Sequence, residues 1–248
     1  MAFPRRAQVV FVEELNPSTR RVICEMADPQ TLDFIGGQYI IVNSGRLLPN
    51  GKMGKRAYSI PTPDSNTHQF ELVVRRIPDG VGSDFIHSLK PGDSFEFSGP
   101  WGKYLPPASE ENFGSILVIA TDTGLSAALG LVNAAKFHRC LPQTRLLWFV
   151  ESGQYFVPPQ FAAERMPEGI RWQIVNAPQV GDDSRVPFCC GEVESLLKDE
   201  TFGRIYLSGD GKILSGLEGL FQNKGYGKDQ VITETFFNHK ELKTASIS

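Results

Sequence analysis

The feature that most constrains the fold is a change of grammar at Pro106-Pro107. Before it, short β-rich runs at 7–13, 21–27, 38–42, 70–76 and 94–97 are separated by turn clusters. Asn16-Pro17-Ser18, Gly36-Gly37 and Lys90-Pro91-Gly92-Asp93 are such clusters. Only 83–89 reads as helical there, with Ser83 as its capping residue. After the prolines, continuous apolar runs at 115–120, 144–150, 170–175, 204–208 and 230–235 alternate with candidate helices at 125–139, 193–198 and 213–224. Many short strands predict a small barrel or sandwich, and alternating buried strands and helices predict a parallel sheet covered on both faces. The expectation is two domains, 1–106 and 107–248.

Composition closes off several other classes. With 248 residues, 41% hydrophobic and 10% aromatic, the chain can bury substantial cores and is not globally disordered. No apolar run approaches the ~18–20 residues that span a bilayer, so no membrane insertion is expected. Met-Ala-Phe-Pro-Arg-Arg lacks the apolar stretch of a secretory signal, and a cytoplasmic location is expected. A net charge of −3 gives no reason to expect nucleic-acid binding. That charge divides into +1 for residues 1–106 and −4 for 107–248. The basic pairs Arg5-Arg6, Arg20-Arg21 and Arg75-Arg76, with Lys52, Lys55 and Arg56, read either as ordinary ion pairs or as a face for an acidic partner.

Cys24, Cys140, Cys189 and Cys190 have neither zinc-ligand nor iron–sulfur spacing, so reduced thiols and no metal site are expected. His68, His87, His138 and His239 form no constellation with a nucleophile, and no Gly-x-Ser-x-Gly elbow is present.

Four segments in series carry more. Arg56-Ala57-Tyr58-Ser59 is followed by Gly80-Val81-Gly82-Ser83, then Ser98-Gly99-Pro100-Trp101-Gly102-Lys103, then Thr123-Gly124 at the start of a helix. In that order they resemble the ferredoxin–NADP⁺ reductase family of flavoenzymes, from about residue 7 to residue 238. The resemblance implies a six-stranded antiparallel Greek-key barrel that binds FAD, followed by a parallel-sheet nucleotide-binding domain. Arg56 would pair with the FAD pyrophosphate, a task suited to a bidentate guanidinium. Tyr58 would lie on the isoalloxazine face, with Ala57 beside it, and Ser59 would hydrogen-bond near flavin N5. Val81, Gly82 and Ser83 would offer a helix start to the phosphate. Val73, Val74 and Arg75 would flank the flavin. Without the resemblance, Tyr58, Gly82 and Gly99 read as turn and core residues.

The nicotinamide side departs from the family pattern Gly-Thr-Gly-Thr-Gly. This chain has Ala120-Thr121-Asp122-Thr123-Gly124, so Thr123 and Gly124 fit while Asp122 adds bulk and a like charge. Asp122 is expected to obstruct a pyrophosphate or to cap the helix and consume its N–H groups. Glu151 suits a ribose 2′-hydroxyl and repels a 2′-phosphate, favouring NADH. Ser208, before Gly209, stands where the family has Cys. Glu234 would join a proton path and Phe236, with Phe237 as alternate, would shield the flavin. Their other reading is an edge strand with core phenylalanines, and 238–248 reads as a tail or a flap.

The function so implied is transfer of electrons from NAD(P)H through flavin N5 to a one-electron carrier such as ferredoxin or flavodoxin, by a monomer. Ser59, Ser208 and Glu234 would be its catalytic residues. A reductase component serving an oxygenase, or a flavin reductase, is the first alternative. A flavin-binding subunit that no longer uses nicotinamide, motivated by Asp122, is the second.

Overall fold

The computed structural model describes residues 5–27, 30–48, 51–108 and 114–237; the proposed tail or flap at 238–248 and the Phe237 side chain lie outside the described residues. The chain divides into two compact units. The first comprises Met1–Pro107, Leu129–His138 and Phe156–Met166, and the second Ala108–Ala128, Arg139–Tyr155 and Pro167–Ser248.

The first unit is built on β1 (Arg5–Asn16), β2 (Thr19–Met26), β3 (Tyr39–Leu47), β4 (Met53–Ser59), β5 (Gln69–Arg75) and β6 (Ser94–Trp101). They hydrogen-bond in the order β4-β3-β6-β1-β2-β5, with every pairing antiparallel. Alternation sends Val22, Cys24 and Met26 of β2 inward, as a half-buried strand requires. Phe70 of β5 and Phe97 of β6 meet edge to face with ring centroids 5.7 Å apart. β1 and β2 separate those strands in the ladder, so the sheet curls around one core that also holds Ile40, Leu72 and Phe95. β4, an edge strand, showed no apolar alternation in the sequence because most of its residues are exposed or half-buried.

α1 (Val81–Ser88) corrects the expected cap: the helix begins two residues earlier, and its N-cap is Gly80. Ser83 sits inside the first turn, where its hydroxyl donates to Gly80 O at 3.0 Å and accepts from Ile77 N at 3.1 Å.

Phe156–Met166 is fastened to the barrel by Glu71, which is 3% exposed. Its carboxylate takes Arg21 Nε at 2.5 Å and Arg165 Nε at 3.4 Å, and the Arg165 guanidinium lies 3.5 Å from the centroid of Phe161. A buried carboxylate between two guanidinium groups is stable only because both partners are held in place. Arg6, Arg20 and Arg76 likewise pair with Glu96, Glu14 and Asp84. The basic pairs are therefore largely spent within the barrel.

The second unit carries β7 (Ile116–Thr121), β8 (Thr144–Glu151), β9 (Arg171–Ala177), β10 (Arg204–Asp210) and β11 (Val231–Phe237), ordered β11-β10-β7-β8-β9 and parallel throughout. All six residues of the central β7 are buried, which is why its sequence reads as an unbroken apolar run. α4 (Arg185–Asp199) and α5 (Gly211–Asn223) cover one face, placing Val193 and Leu217 against Leu117, Leu147 and Leu207.

α4 is longer than the sequence predicted, because Pro187 lies in its first turn, where the missing N–H costs nothing. α2 (Leu125–Val132) is shorter, and 3₁₀ turns follow over Ala135–Gln143. The Ala135 N–H goes to Asp64 Oδ1 at 2.9 Å instead of a helical carbonyl, which ends the helix. α3 (Pro159–Ala163) was not expected.

The order β11-β10-β7-β8-β9 reverses direction between β10 and β7. Open parallel sheets take ligands at the carboxyl ends of strands flanking such a switch point.

Candidate functional site

In the barrel unit, β4 and the start of α1 bring the motif residues together. Arg56 and Ala57 are exposed, Tyr58 is half-buried and Ser59 buried. A Cβ built on Gly82 would lie 2.5 Å from Arg56 Cγ and 2.8 Å from the Tyr58 hydroxyl. Only glycine lets α1 approach β4 this closely. No side chain caps α1 among the described residues, so the first-turn N–H groups at Val81 and Gly82 are not consumed by one. Ser59 Oγ is buried and has no hydrogen-bond partner among the described residues. Burial raises the pKa of the Tyr58 phenol, partly offset by Arg56, and keeps it a hydrogen-bond donor at neutral pH. Val73 and Val74 are buried on β5, and the Arg75 guanidinium lies 5.6 Å from the centroid of Phe156.

In the sheet unit, the residues expected on the nicotinamide side gather at the switch point. Thr121 ends β7, and its Oγ1 accepts Asp210 N at 2.8 Å. Gly209, at φ +125°, lies against Thr121, where a Cβ would come within 2.2 Å of that oxygen. A Cβ on Gly124 would lie 2.2 Å from Ser208 O. Ser208 Oγ donates to Gly124 O at 3.0 Å and is fully buried. That geometry makes Ser208 a fastener of the turn, where the sequence had suggested a nicotinamide-facing group. Thr123 lies within the 3₁₀ turn Asp122–Gly124 and is half-buried.

Asp122 has partners that the sequence did not suggest. It lies in the 3₁₀ turn that precedes α2. Its Oδ2 pairs with Arg185 Nη2 at 2.6 Å, and its Oδ1 accepts Glu151 N at 3.2 Å. Asp122 is 8% exposed and Arg185 3%. The backbone at 122 is left-handed, with φ +47°, a conformation that Asp tolerates better than most non-glycine residues. Arg185 also donates Nη1 to Pro178 O, and Glu151 Oε1 accepts Val180 N at 3.2 Å. Sequence reasoning missed Arg185, which opens α4 and lies 63 residues from its partner.

A cavity of about 250 Å³ in this unit, with Arg145, Gln173, Ser195 and Glu200 in its wall, contains none of these residues. Among the described residues, no His, Cys, Asp and Glu group is placed to hold a metal ion, and no helix is long and apolar enough to cross a membrane. All four thiols are free; burial raises them, Cys189 to about 12, which leaves that thiol protonated and unreactive.

Residues 6–105 match the family model of the oxidoreductase FAD-binding domain. The chain is 35% identical over 135 residues to ferredoxin–NADP reductase B of Sorangium cellulosum, covering 54% of this chain and 53% of that protein. It is also 35% identical over 132 residues to the reductase subunit of an aromatic O-demethylase of Amycolatopsis, covering 52% of this chain and 37% of that one. The chain thus spans about half, or less, of these relatives' length. A ferredoxin NADP⁺ reductase from Neisseria gonorrhoeae, solved with FAD and NADP, shares the fold at TM-score 0.76 and 16% identity, covering 96% of this chain and 100% of that one. The barrel unit thus matches the oxidoreductase FAD-binding domain, and over about half its length the chain is similar to a ferredoxin–NADP reductase.

As the match to an FAD-binding domain requires, the barrel cluster fits FAD. A pyrophosphate needs a cation and free backbone donors, which Arg56 and the uncapped start of α1 supply. Ser59 Oγ, next along β4, is a buried hydroxyl without a partner among the described residues.

On the sheet side, Glu234 pairs in register with Ser208, and Phe236 is half-buried on the same edge strand. Desolvation raises the Glu234 carboxyl to about 7 from an ordinary 4.5. Folding thus favours its protonated form. The stability so held is intact below the unfolded value and falls as pH rises from about 4.5 through about 7. Glu234→Gln is expected to remove this decline. Urea unfolding of both proteins across that range should show wild type losing ground to the variant with rising pH, and a constant difference would refute the assignment.

Proposed function

We propose that the chain is an FAD-dependent reductase that takes hydride from NADH and passes electrons singly to a protein carrier. The observation that carries this reading is the convergence of Arg56, Tyr58 and Gly82 where β4 meets the start of α1. Bound FAD would supply the two-electron to one-electron chemistry. Arg56 and the start of α1 hold the pyrophosphate, Tyr58 covers the ring and Ser59 donates to it. Glu234, protonated near neutral pH, is a reserve of one proton on β11.

The carrier is a ferredoxin, a flavodoxin or an oxygenase component. Similarity to both a ferredoxin–NADP reductase and a demethylase reductase subunit supports that class without choosing within it. The free thiols suit a cytoplasmic location. Asp122, paired with Arg185, no longer argues against a dinucleotide. Glu151 at the end of β8 supports NADH over NADPH.

Anaerobic mixing of the yellow protein with NADH or NADPH tests the reading. Rapid bleaching at the flavin band by NADH, and slower bleaching by NADPH, is expected. Bleaching by dithionite alone would overturn it in favour of a subunit that does not use nicotinamide.

Arg56→Ala is expected to weaken FAD retention. Charged hydrogen bonds of this kind contribute ~1.5–3 kcal/mol, or roughly 10- to 150-fold in affinity. Flavin fluorescence titration of the apoprotein measures it, and unchanged affinity would remove Arg56 from the site.

A further inference from the structure

We infer that Arg185 is a positioning residue for the dinucleotide, acting through Asp122; this rests on the nicotinamide reading above. A tight turn after β7 must place residue 122 in the left-handed region, which a glycine would do without adding charge. An unpaired carboxylate there would repel a pyrophosphate, and in a buried setting salt would screen that repulsion little. Arg185 cancels the charge from behind. Its Nη2 holds Asp122 Oδ2 at 2.6 Å while its Nη1 is anchored on Pro178 O. Both carboxylate oxygens are thereby engaged, Oδ2 by Arg185 and Oδ1 by the Glu151 N–H.

The same pair sets the neighbouring strand. Asp122 Oδ1 accepts Glu151 N at 3.2 Å, and Glu151 Oε1 accepts Val180 N at 3.2 Å. One ion pair therefore ties together the chain segments leaving β7, β8 and β9, at the end of the sheet where open α/β folds bind ligands. Pyrophosphate turn and ribose-facing carboxylate are positioned as a unit, so Arg185 acts on both without touching either.

The test uses the FAD-loaded protein and ADP-ribose, a dinucleotide fragment that cannot reduce flavin, with affinity read by calorimetry. Arg185→Met is expected to weaken ADP-ribose by at least ~10-fold and to raise KM for NADH more than it lowers kcat, because a lone carboxylate then faces the phosphates. The double variant D122N/R185M, which removes both charges, is expected to recover most of that loss. Adenosine, which carries no phosphate, is expected to bind wild type and Arg185→Met alike, whereas a purely structural role would weaken adenosine and ADP-ribose together.

Should Arg185→Met be too unstable to purify, Arg185→Lys carries the test: its ammonium cannot hold both Asp122 and Pro178, and weakening of several-fold is expected. Unchanged ADP-ribose affinity in the purified single variant, or no recovery in the double variant, overturns the inference. Wild-type protein that binds neither ADP-ribose nor NADH overturns the nicotinamide reading itself, and this inference with it.

Discussion

Asp122→Ala is expected to destabilise the parallel-sheet unit by about 3–5 kcal/mol, the range for removing one partner of a buried ion pair. The cost comes chiefly from what stays behind. Arg185, 3% exposed, would keep its charge in a site where water cannot replace the lost carboxylate. Two smaller terms add to it. The Glu151 N–H loses its acceptor, and alanine tolerates a φ of +47° poorly. Urea unfolding followed by tryptophan fluorescence is a suitable probe, because buried Trp148 donates its Nε1 to Asp122 O at 3.0 Å. The double variant D122A/R185M is expected to regain much of the loss, since neutral replacements of a buried pair are often well tolerated. An Asp122→Ala protein as stable as wild type would show that the pair is not formed. The sequence alone pointed the other way, towards a carboxylate whose removal clears a path for phosphate.

The second large effect is expected at Gly124. In Gly124→Ala the new methyl would stand 2.2 Å from Ser208 O and 2.5 Å from Ser208 C. Both atoms belong to the backbone of β10, the hydrogen-bonded neighbour of β7, so no side-chain rotation relieves the clash. Either the turn lifts from β10, breaking the 3.0 Å bond from Ser208 Oγ to Gly124 O, or the two strands separate. The cost is expected near the upper end of the ~1–3 kcal/mol seen for overpacking. Loss of NADH affinity is expected with it, because the displaced turn begins the helix that would face the pyrophosphate. Gly219→Ala is the control. That glycine lies on α5 with no atom within 4 Å of a built Cβ, and a gain of about 0.5–1 kcal/mol is expected there. Equal melting temperatures for Gly124→Ala and wild type would refute the close approach.

Much of the architecture was legible because it rests on local periodicity. β7 reads as a buried strand since both its faces are covered, and β2 reads as a half-buried one since alternate residues face the core. Edge strand β4 did not announce itself, because a strand with little buried surface needs no apolar pattern. The early end of α2 was hidden because its cause, Asp64, is far away in sequence.

The site divides in the same way. Motif order alone placed Arg56, Tyr58, Ser59 and Gly82 in one group, and the fold brings Arg56, Tyr58 and Gly82 into contact. Sequence could state that Asp122 and Glu151 were carboxylates near the switch point, but a charge acquires its effect from its partners. Arg185 stands 63 residues from Asp122, and Arg165 stands 94 residues from Glu71. Neither pairing leaves a periodic or compositional trace, since electrostatics acts through space while patterning acts along the chain. The sequence by itself determined a domain of short strands and a parallel sheet, because both rest on periodicity along the chain. Only the tertiary structure decided that the carboxylate of the turn after β7 is paired with Arg185.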